Sequence, residues 1–340
     1  MRIAIDVMGG DNAPDDILRG CVAGLEYIAP GDQLVLVGDK TDIEEVLGEI
    51  GVNDDRLVIH ATTEVIEMAE SPAKAVRGKP DSSIVQMCKL ASHKVSEDIR
   101  CDAALSAGNT GACVSAGIMQ MKRLKGVHRP GIAVAMPSFH GPMVLCDAGA
   151  NPEPTPQHLW QYAVMADVVS KRLLHIENPR VAIMNIGAED SKGTGTIKEA
   201  RDLIKSSPGL NYIGFIEGRE FFEGVADVVV TDGLMGNVVL KTAEGMAKSL
   251  FKAITHEILE LDPELMSRFA PVAKSIWSKN DYHEYGGAPL IGVNGTLFIA
   301  HGSSEPRTIA NAIRSCREYV ETGVNEGIVE RVAEVETALV

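Results

Sequence analysis

Short apolar runs alternate with amphipathic stretches along almost the whole chain. Leu34–Val37, Ile132–Ala135 and Ala182–Met184 are continuously apolar rather than alternating with polar residues. A strand with one face in water alternates, whereas a strand covered on both faces does not. Between such runs, Asp15–Ile28, Ser82–Lys94, Gln157–Leu174 and Ile197–Ile204 carry apolar residues at helical spacing. The pattern predicts an α/β fold in three layers, a parallel or mixed sheet with helices on both faces. The Pro-rich stretch 151–156 reads as a turn ahead of a helix, and no Pro/Gly/Ser linker divides the chain. Residues 1–340 are therefore expected to form a single α/β domain.

One region breaks the alternation. From Ala243 to Ser278 two helical patterns follow each other, interrupted at Leu261-Asp262-Pro263. Asp262 is placed to cap the second helix, with Pro263 at its first position. Lys248, Lys252, Arg268, Lys274 and Lys279 are interleaved with many apolar positions, Trp277 among them. A helical hairpin of this kind suits a dimer interface or core packing. Its turn also offers apolar residues to a membrane or a hydrophobic partner.

The strand-like runs end in conspicuous turns. Val228–Thr231 leads through Asp232, Gly233, Gly236 and Asn237 into a helical pattern. Ala103–Ser106 leads into Gly108-Asn109-Thr110-Gly111, and Val144–Cys146 into Asp147-Ala148-Gly149-Ala150-Asn151. Ala182–Asn185 precedes Gly187 and Lys192-Gly193, and Ile3–Val7 precedes Gly9-Gly10-Asp11. Strand–turn–helix units aim backbone N–H groups and a helix N-terminus at anions. On one parallel sheet, these turns are expected to line a single edge.

Candidate chemistry follows from those turns. Asp232 stands at a strand end, where open α/β sheets bind ligands. Asn237 can donate to an oxyanion, and Lys241 lies one helical turn later on the same face. His301, after the run Thr296–Ala300 and beside Ser303 and Ser304, suits an acid, a base or an oxyanion donor. The expected catalytic set is Asn237, Lys241, His301 and Asp232. Lys74, Arg77 and Lys79 form a separate cationic group able to hold a phosphate.

Composition narrows the reading. Hydrophobic residues make up 45 % of the chain and aromatics only 4 %, with a net charge of −15. Few stacking platforms and an acidic balance argue against nucleic acid as a partner. The six cysteines form no C-x-x-C pair, and reduced, buried thiols of a cytoplasmic protein are expected. Cys146, at a strand end, is the only one considered as a nucleophile, and it lacks a basic neighbour in sequence. Met1-Arg2 runs directly into a strand, without a signal-peptide pattern, and no window is apolar long enough to span a bilayer. Metal-binding spacings, a Walker-type loop and G-x-G-x-x-G are all missing, so no metal and no cofactor are expected.

Six segments together resemble one family. I-A-I-D-V-M-G-G-D, S-P-A-K-A-V-R, S-A-G-N-T-G-A, T-D-G-L-M-G-N-V-V-L-K, Y-G-G-A-P-L-I-G-V (Tyr285–Val293) and A-H-G-S-S (Ala300–Ser304) occur in order along the chain. They are similar to segments of the bacterial acyl-acyl-carrier-protein:phosphate acyltransferases (PlsX). The resemblance implies transfer of a fatty acyl group from acyl carrier protein to inorganic phosphate, giving acyl phosphate for phospholipid synthesis. It implies a homodimer, cytoplasmic but loosely associated with the inner face of the membrane, and no redox cofactor. A membrane glycerol-3-phosphate acyltransferase is the expected downstream partner.

A more distant similarity, to phosphotransacetylases, implies an isocitrate/isopropylmalate dehydrogenase-like fold whose one mixed, mainly parallel sheet is shared by two intertwined lobes. Asp232, Gly236 and Asn237 match the phosphotransacetylases' D-x-x-x-G-N turn. Where those enzymes place a Ser-Arg-Gly, this chain has Ala300-His301-Gly302, so the arginine anchor is missing. Lys74, Arg77 and Lys192, helped by Asn109, Thr110 and Ser303, are the expected phosphate ligands. A thioester is already activated, so direct attack by phosphate needs positioning and an oxyanion donor rather than a covalent intermediate. Two rival readings are a decarboxylating dehydrogenase, for which clustered aspartates are missing, and a non-catalytic scaffold between acyl carrier protein and a membrane enzyme.

Overall fold

A computed structural model describes residues 1–280 and 286–339. Tyr285, and the side chains of Trp277 and Lys279, lie outside the described residues. The strands are β1 (Arg2–Asp6), β2 (Gln33–Gly38), β3 (Leu57–Ala61), β4 (Ala103–Ser106), β5 (Gly131–Met136), β6 (Met143–Cys146), β7 (Arg180–Met184), β8 (Asn211–Ile216), β9 (Val228–Val230), β10 (Ala288–Ile291) and β11 (Thr296–Ile299). All of them join one sheet in the order β3-β2-β1-β4-β11-β10-β5-β6-β9-β7-β8.

The continuous apolar runs are explained by two cores, one on each face. In β1, Ile3 and Ile5 point into one core, with Leu34 and Leu36 of β2, while Ala4 points into the other with Val35 and Val37. The first core is closed by α1 (Asp15–Gly24), α2 (Lys40–Ile50), α6 (Pro156–Leu173), α7 (Gly195–Ser206), α10 (Pro306–Glu321) and α11 (Val324–Leu339). The second is closed by α3 (Pro72–Gly78), α4 (Ser83–Leu90) and α5 (Thr110–Gln120).

The sheet is mixed in a way that changes the expected single edge. β3, β2, β1, β4 and β11 are mutually parallel, as are β6, β9, β7 and β8. Between the two sets, β11–β10, β10–β5 and β5–β6 are all antiparallel. Three reversals leave the two sets running in opposite directions. The turns after β1, β4 and β11 therefore belong to one half and those after β6, β9 and β7 to the other.

The helical hairpin is present and longer than the apolar pattern indicated. α8 runs unbroken from Gly233 to Leu261, so it starts at the β9 turn rather than at Ala243. α9 spans Leu265–Asn280, and the Asp262 carboxylate accepts the N–H groups of Glu264 and Leu265 at 3.2 and 3.3 Å. Only Gly233 and Gly236 of α8 are buried, while Leu250, Leu261 and Val272 are 55 %, 81 % and 54 % exposed. Among the described residues no helix is long and apolar enough to cross a membrane.

Candidate active site

The geometry starts from a buried carboxylate. Asp147 is fully buried at the end of β6, and its two oxygens accept N–H groups from Ile132, Gly149, Ala150 and Asn151 at 2.7–3.1 Å. Burial raises its carboxyl above the ordinary range, and these four backbone donors oppose the rise. The turn so braced is the seat of α8. A Cβ on Gly233 would lie 2.8 Å from the Asn151 backbone, and one on Gly236 only 1.9 Å from the Asp147 carbonyl oxygen. The glycines of T-D-G-L-M-G are thus required for contact between helix and turn. Asp232 caps the helix, its carboxylate accepting the Met235 N–H at 2.8 Å. Asn237 then stands beside Gly149, on the face of α8 that also carries Lys241 and Glu244.

The other wall comes from the opposite half of the sheet. Asn109 caps α5 through Oδ1, which accepts the Ala112 N–H at 3.0 Å. Its Nδ2 donates to the carbonyls of Glu67, Met68 and Glu70 at 3.1–3.2 Å, pinning that loop at the cleft. Below, Asp6 accepts from Ser106 at 2.6 Å, and the Ser106 hydroxyl accepts the Gly108 N–H at 2.9 Å. These buried bonds hold the β1 and β4 turns together.

The two halves meet at Lys241 and His301. Lys241 Nζ is in hydrogen-bonding contact with His301 Nε2. Glu244 Oε2 lies 3.1 Å from Lys241 Nζ and 3.8 Å from His301 Nε2. On the other side of the ring, Nδ1 lies 2.8 Å from the Ser303 hydroxyl and accepts the Ser303 N–H at 3.2 Å. The group is a carboxylate, an amine, an imidazole and a hydroxyl in series, an arrangement able to hold or pass a proton.

Lys241, Glu244 and His301 of this series line a cleft of about 360 Å³. Asp11, Thr110, Asn237, Lys241, Glu244 and His301 supply its polar groups. The rest is largely apolar, including Met68, Ile132, Val134, Leu240 and Ile299. The cleft thus pairs polar groups with a wall suited to hydrocarbon. Among the described residues, no three His, Cys, Asp or Glu side chains converge as metal ligands.

Several expected residues lie elsewhere. Asp232 does not line the cleft, because its carboxylate is committed to the helix cap. Asn109 is buried with both amide atoms bonded to backbone, so it shapes the site rather than facing it. Lys74 and Arg77 are exposed on α3, whose Pro72 packs against Gly111, and neither lines the cleft. Lys79 is paired with Glu70 at 2.6 Å. Lys192 is exposed in the turn after β7 and is likewise outside the lining. Ser303 is not in the lining but orients His301. Cys146 is completely buried and burial pushes its thiol well up, which leaves no accessible thiolate. Glu244 and Asp11 join the site without having been expected there. Glu244 carries a readable signal, standing three residues after Lys241 and seven after Asn237 on one helix face.

Comparison with known proteins identifies the family and the fold. Residues 1–327 match the family described as a fatty acid synthesis protein. A phosphate acyltransferase of Desulfitobacterium hafniense (strain DSM 10664 / DCB-2) is 44 % identical over 331 residues, covering 96 % of each chain. One of Bacillus subtilis (strain 168) is 41 % identical over 343 residues, covering 99 % of each. A phosphotransacetylase from Streptococcus pyogenes superposes with a TM-score of 0.62 at 17 % identity, covering 94 % of each chain. A putative 4-hydroxythreonine-4-phosphate dehydrogenase from Salmonella typhimurium does so at 0.51 and 13 %, covering 93 % of this chain and 99 % of that one. At such low identities the structural likeness is one of fold. The full-length match to the family and to its phosphate acyltransferases shows that this chain belongs to the fatty acid synthesis protein family of phosphate acyltransferases.

Proposed function

We propose that the cleft transfers a fatty acyl group from an acyl carrier protein thioester to inorganic phosphate. The observation that carries this reading is the Lys241–His301–Glu244 cluster in an otherwise largely apolar cleft. Phosphate is held there by Lys241, the Thr110 hydroxyl and the N-terminal end of α5. It attacks the thioester carbonyl, whose oxygen becomes negative and takes a hydrogen bond from the Asn237 amide. The tetrahedral species collapses to acyl phosphate and the carrier's thiolate, and the proton given up by the attacking phosphate passes through His301 to that thiolate. Ser303 orients the ring and Glu244 keeps the lysine extended toward it. Lys74, Arg77 and Lys192 act as outer cations that draw phosphate toward the cleft.

The acceptor surface for the carrier is proposed on the hairpin. Acyl carrier protein is acidic and this chain has a net charge of −15, so encounter needs a local cationic surface. Lys248, Lys252, Arg268 and Lys274 provide one, diluted by Glu257, Glu260 and Glu264, which makes binding weak and salt-sensitive. The exposed apolar stripe of α8 pairs with that of a second copy in a homodimer, and Leu261, Leu265, Met266 and Phe269 at the turn touch a lipid surface. The enzyme works in the cytoplasm at the membrane's inner face, where a glycerol-3-phosphate acyltransferase consumes its product. A purely bridging role would leave the buried network behind Asn237, Lys241 and His301 without use.

The test is to incubate acyl carrier protein thioester with phosphate and trap acyl phosphate with hydroxylamine. The wild type is expected to form it and Asn237→Ala to form far less. No acyl phosphate from the folded wild type would refute the reading.

A further inference from the structure

The sheet is interrupted at its centre. The β5–β10 ladder consists only of Leu290 opposite Ile132 and Ile291 opposite Gly131. Beyond those pairs β10 bonds to β11, through Ala288 and Pro289, while β5 bonds to β6 from Ala133 to Met136. Pro289 has no N–H with which to continue a ladder toward β5. Beside those pairs stand small residues, Ala133 and Ala135 on β5, Ala288 on β10 and Gly287 just before it. Val134 and Pro289 lie among them, and the two strands form no further ladder pair along this slot.

A cavity opens on each face of this slot. One is the active-site cleft. The other, of about 270 Å³, lies on the opposite face between α6 and α10, over Ala133, Val144 and Phe298, and is walled by Val169, Leu173 and Leu174. Its polar lining, Arg314, Ser315 and Glu318, comes from α10 alone. Ala135 and Gly287 line both cavities, so these two residues stand between them.

We propose that the slot carries the substrate's acyl tail: the thioester reacts beside the polar groups of the cleft while the methyl end of a long chain passes between Ala135 and Gly287 into the cavity between α6 and α10. The inference rests on the acyl-transfer reading above. It assigns chain-length selection to residues on the far face of the sheet. A saturated chain fits because it is thin, flexible and has no polar group to desolvate. Short acyl groups end within the cleft and do not reach the far cavity.

Two substitutions fill the far cavity without facing the cleft: Ala133→Leu from the sheet and Leu173→Trp from α6. Each is compared with wild type using hexadecanoyl and butyryl thioesters of acyl carrier protein, with acyl phosphate as the readout. Each methylene kept out of an apolar site costs roughly fourfold, so displacing two lowers kcat/KM for the hexadecanoyl donor about tenfold or more. The butyryl donor is expected to keep its wild-type value. Equal losses with both donors, or no loss with either, in variants that melt like wild type would overturn the passage. Wild type that makes acyl phosphate from neither donor would instead sink the acyl-transfer reading itself. A hexadecanoyl donor bearing a diazirine at its methyl end decides the matter in the unmutated protein. Label on Val169, Leu173 or Phe298 is expected, and label confined to Met68 and Leu240 of the cleft would contradict it.

Discussion

A methyl group on Gly236 would sit 1.9 Å from the carbonyl oxygen of Asp147. That oxygen belongs to a turn held by four backbone N–H groups on one carboxylate, so it has little freedom to retreat. Gly236→Ala must therefore lift the first turn of α8, and with it Asn237 and Lys241. Overpacking of this kind costs about 1–3 kcal/mol, and a small misplacement of reacting groups lowers rate by about a hundredfold. Chemical denaturation and steady-state turnover check the two effects. A variant with wild-type activity would show that the helix is not seated by this contact.

Asn237 and His301 are expected to act in the chemical step rather than in folding. Asn237 is exposed to the cleft and His301 bridges the two halves of the sheet. Asn237→Ala and His301→Ala should each lower kcat by about 100- to 1,000-fold with little change in melting temperature. Near-normal turnover in both folded variants would move the reacting centre elsewhere.

The outer cations give a separate kinetic signature. Lys74→Ala, Arg77→Ala and Lys192→Ala should raise the KM for phosphate more than the KM for the acyl donor. They should also weaken the dependence of rate on ionic strength. A phosphate KM unchanged in all three would confine the phosphate site to Lys241 and α5.

Asp6 links stability to pH. Burial raises its carboxyl above the ordinary range, while bonds from Ser106, Ser83, Met8 and Gly9 oppose the rise. An acid with a raised folded value adds stability that is complete below its unfolded value and is lost as pH rises through the folded one. Asp6→Asn removes that dependence. The melting temperature of the variant relative to wild type should therefore improve as pH rises above the ordinary carboxyl value of about 4. A gap that stays constant or widens against the variant would show that Asp6 is charged and well satisfied where it lies.

Much of the local structure is readable along the chain, and the juxtapositions are not. Ala103–Ser106 is the extent of β4, and Gln157–Leu174 differs by one residue at each end from α6, because apolar runs, Thr155 and Pro156 set local limits. The strand reversals at β10, β5 and β6 leave no local trace, since a buried strand reads alike in either direction. For the same reason, the chain alone suggests turns on one edge. Asn109 looks like an anion ligand because its partners, the carbonyls of Glu67, Met68 and Glu70, are about forty residues away. Asn237, Lys241 and His301 are legible as strand-end polar residues, but their meeting across the two halves depends on a contact spanning 60 residues.

The exposed stripe of the hairpin predicts association. Met246, Leu250 and Ile254 are 65 %, 55 % and 36 % exposed along one side of α8. An apolar face of this length calls for a cover, and the proposed homodimer would supply it by an isologous pairing of two hairpins. Leu250→Asp combined with Ile254→Asp should convert a dimer to a monomer in light scattering, with the α/β body still folded. An unchanged mass would assign the stripe to another partner.

The central claim is that phosphate itself attacks the thioester. The most direct measurement mixes the wild type with acyl carrier protein thioester, with and without phosphate, while following thiol release, acyl phosphate and the intact mass of the enzyme. Thiol and acyl phosphate are expected in equal amounts, both dependent on phosphate, from an enzyme whose mass never changes. Thiol release without phosphate, together with an enzyme carrying an acyl group, would contradict direct attack.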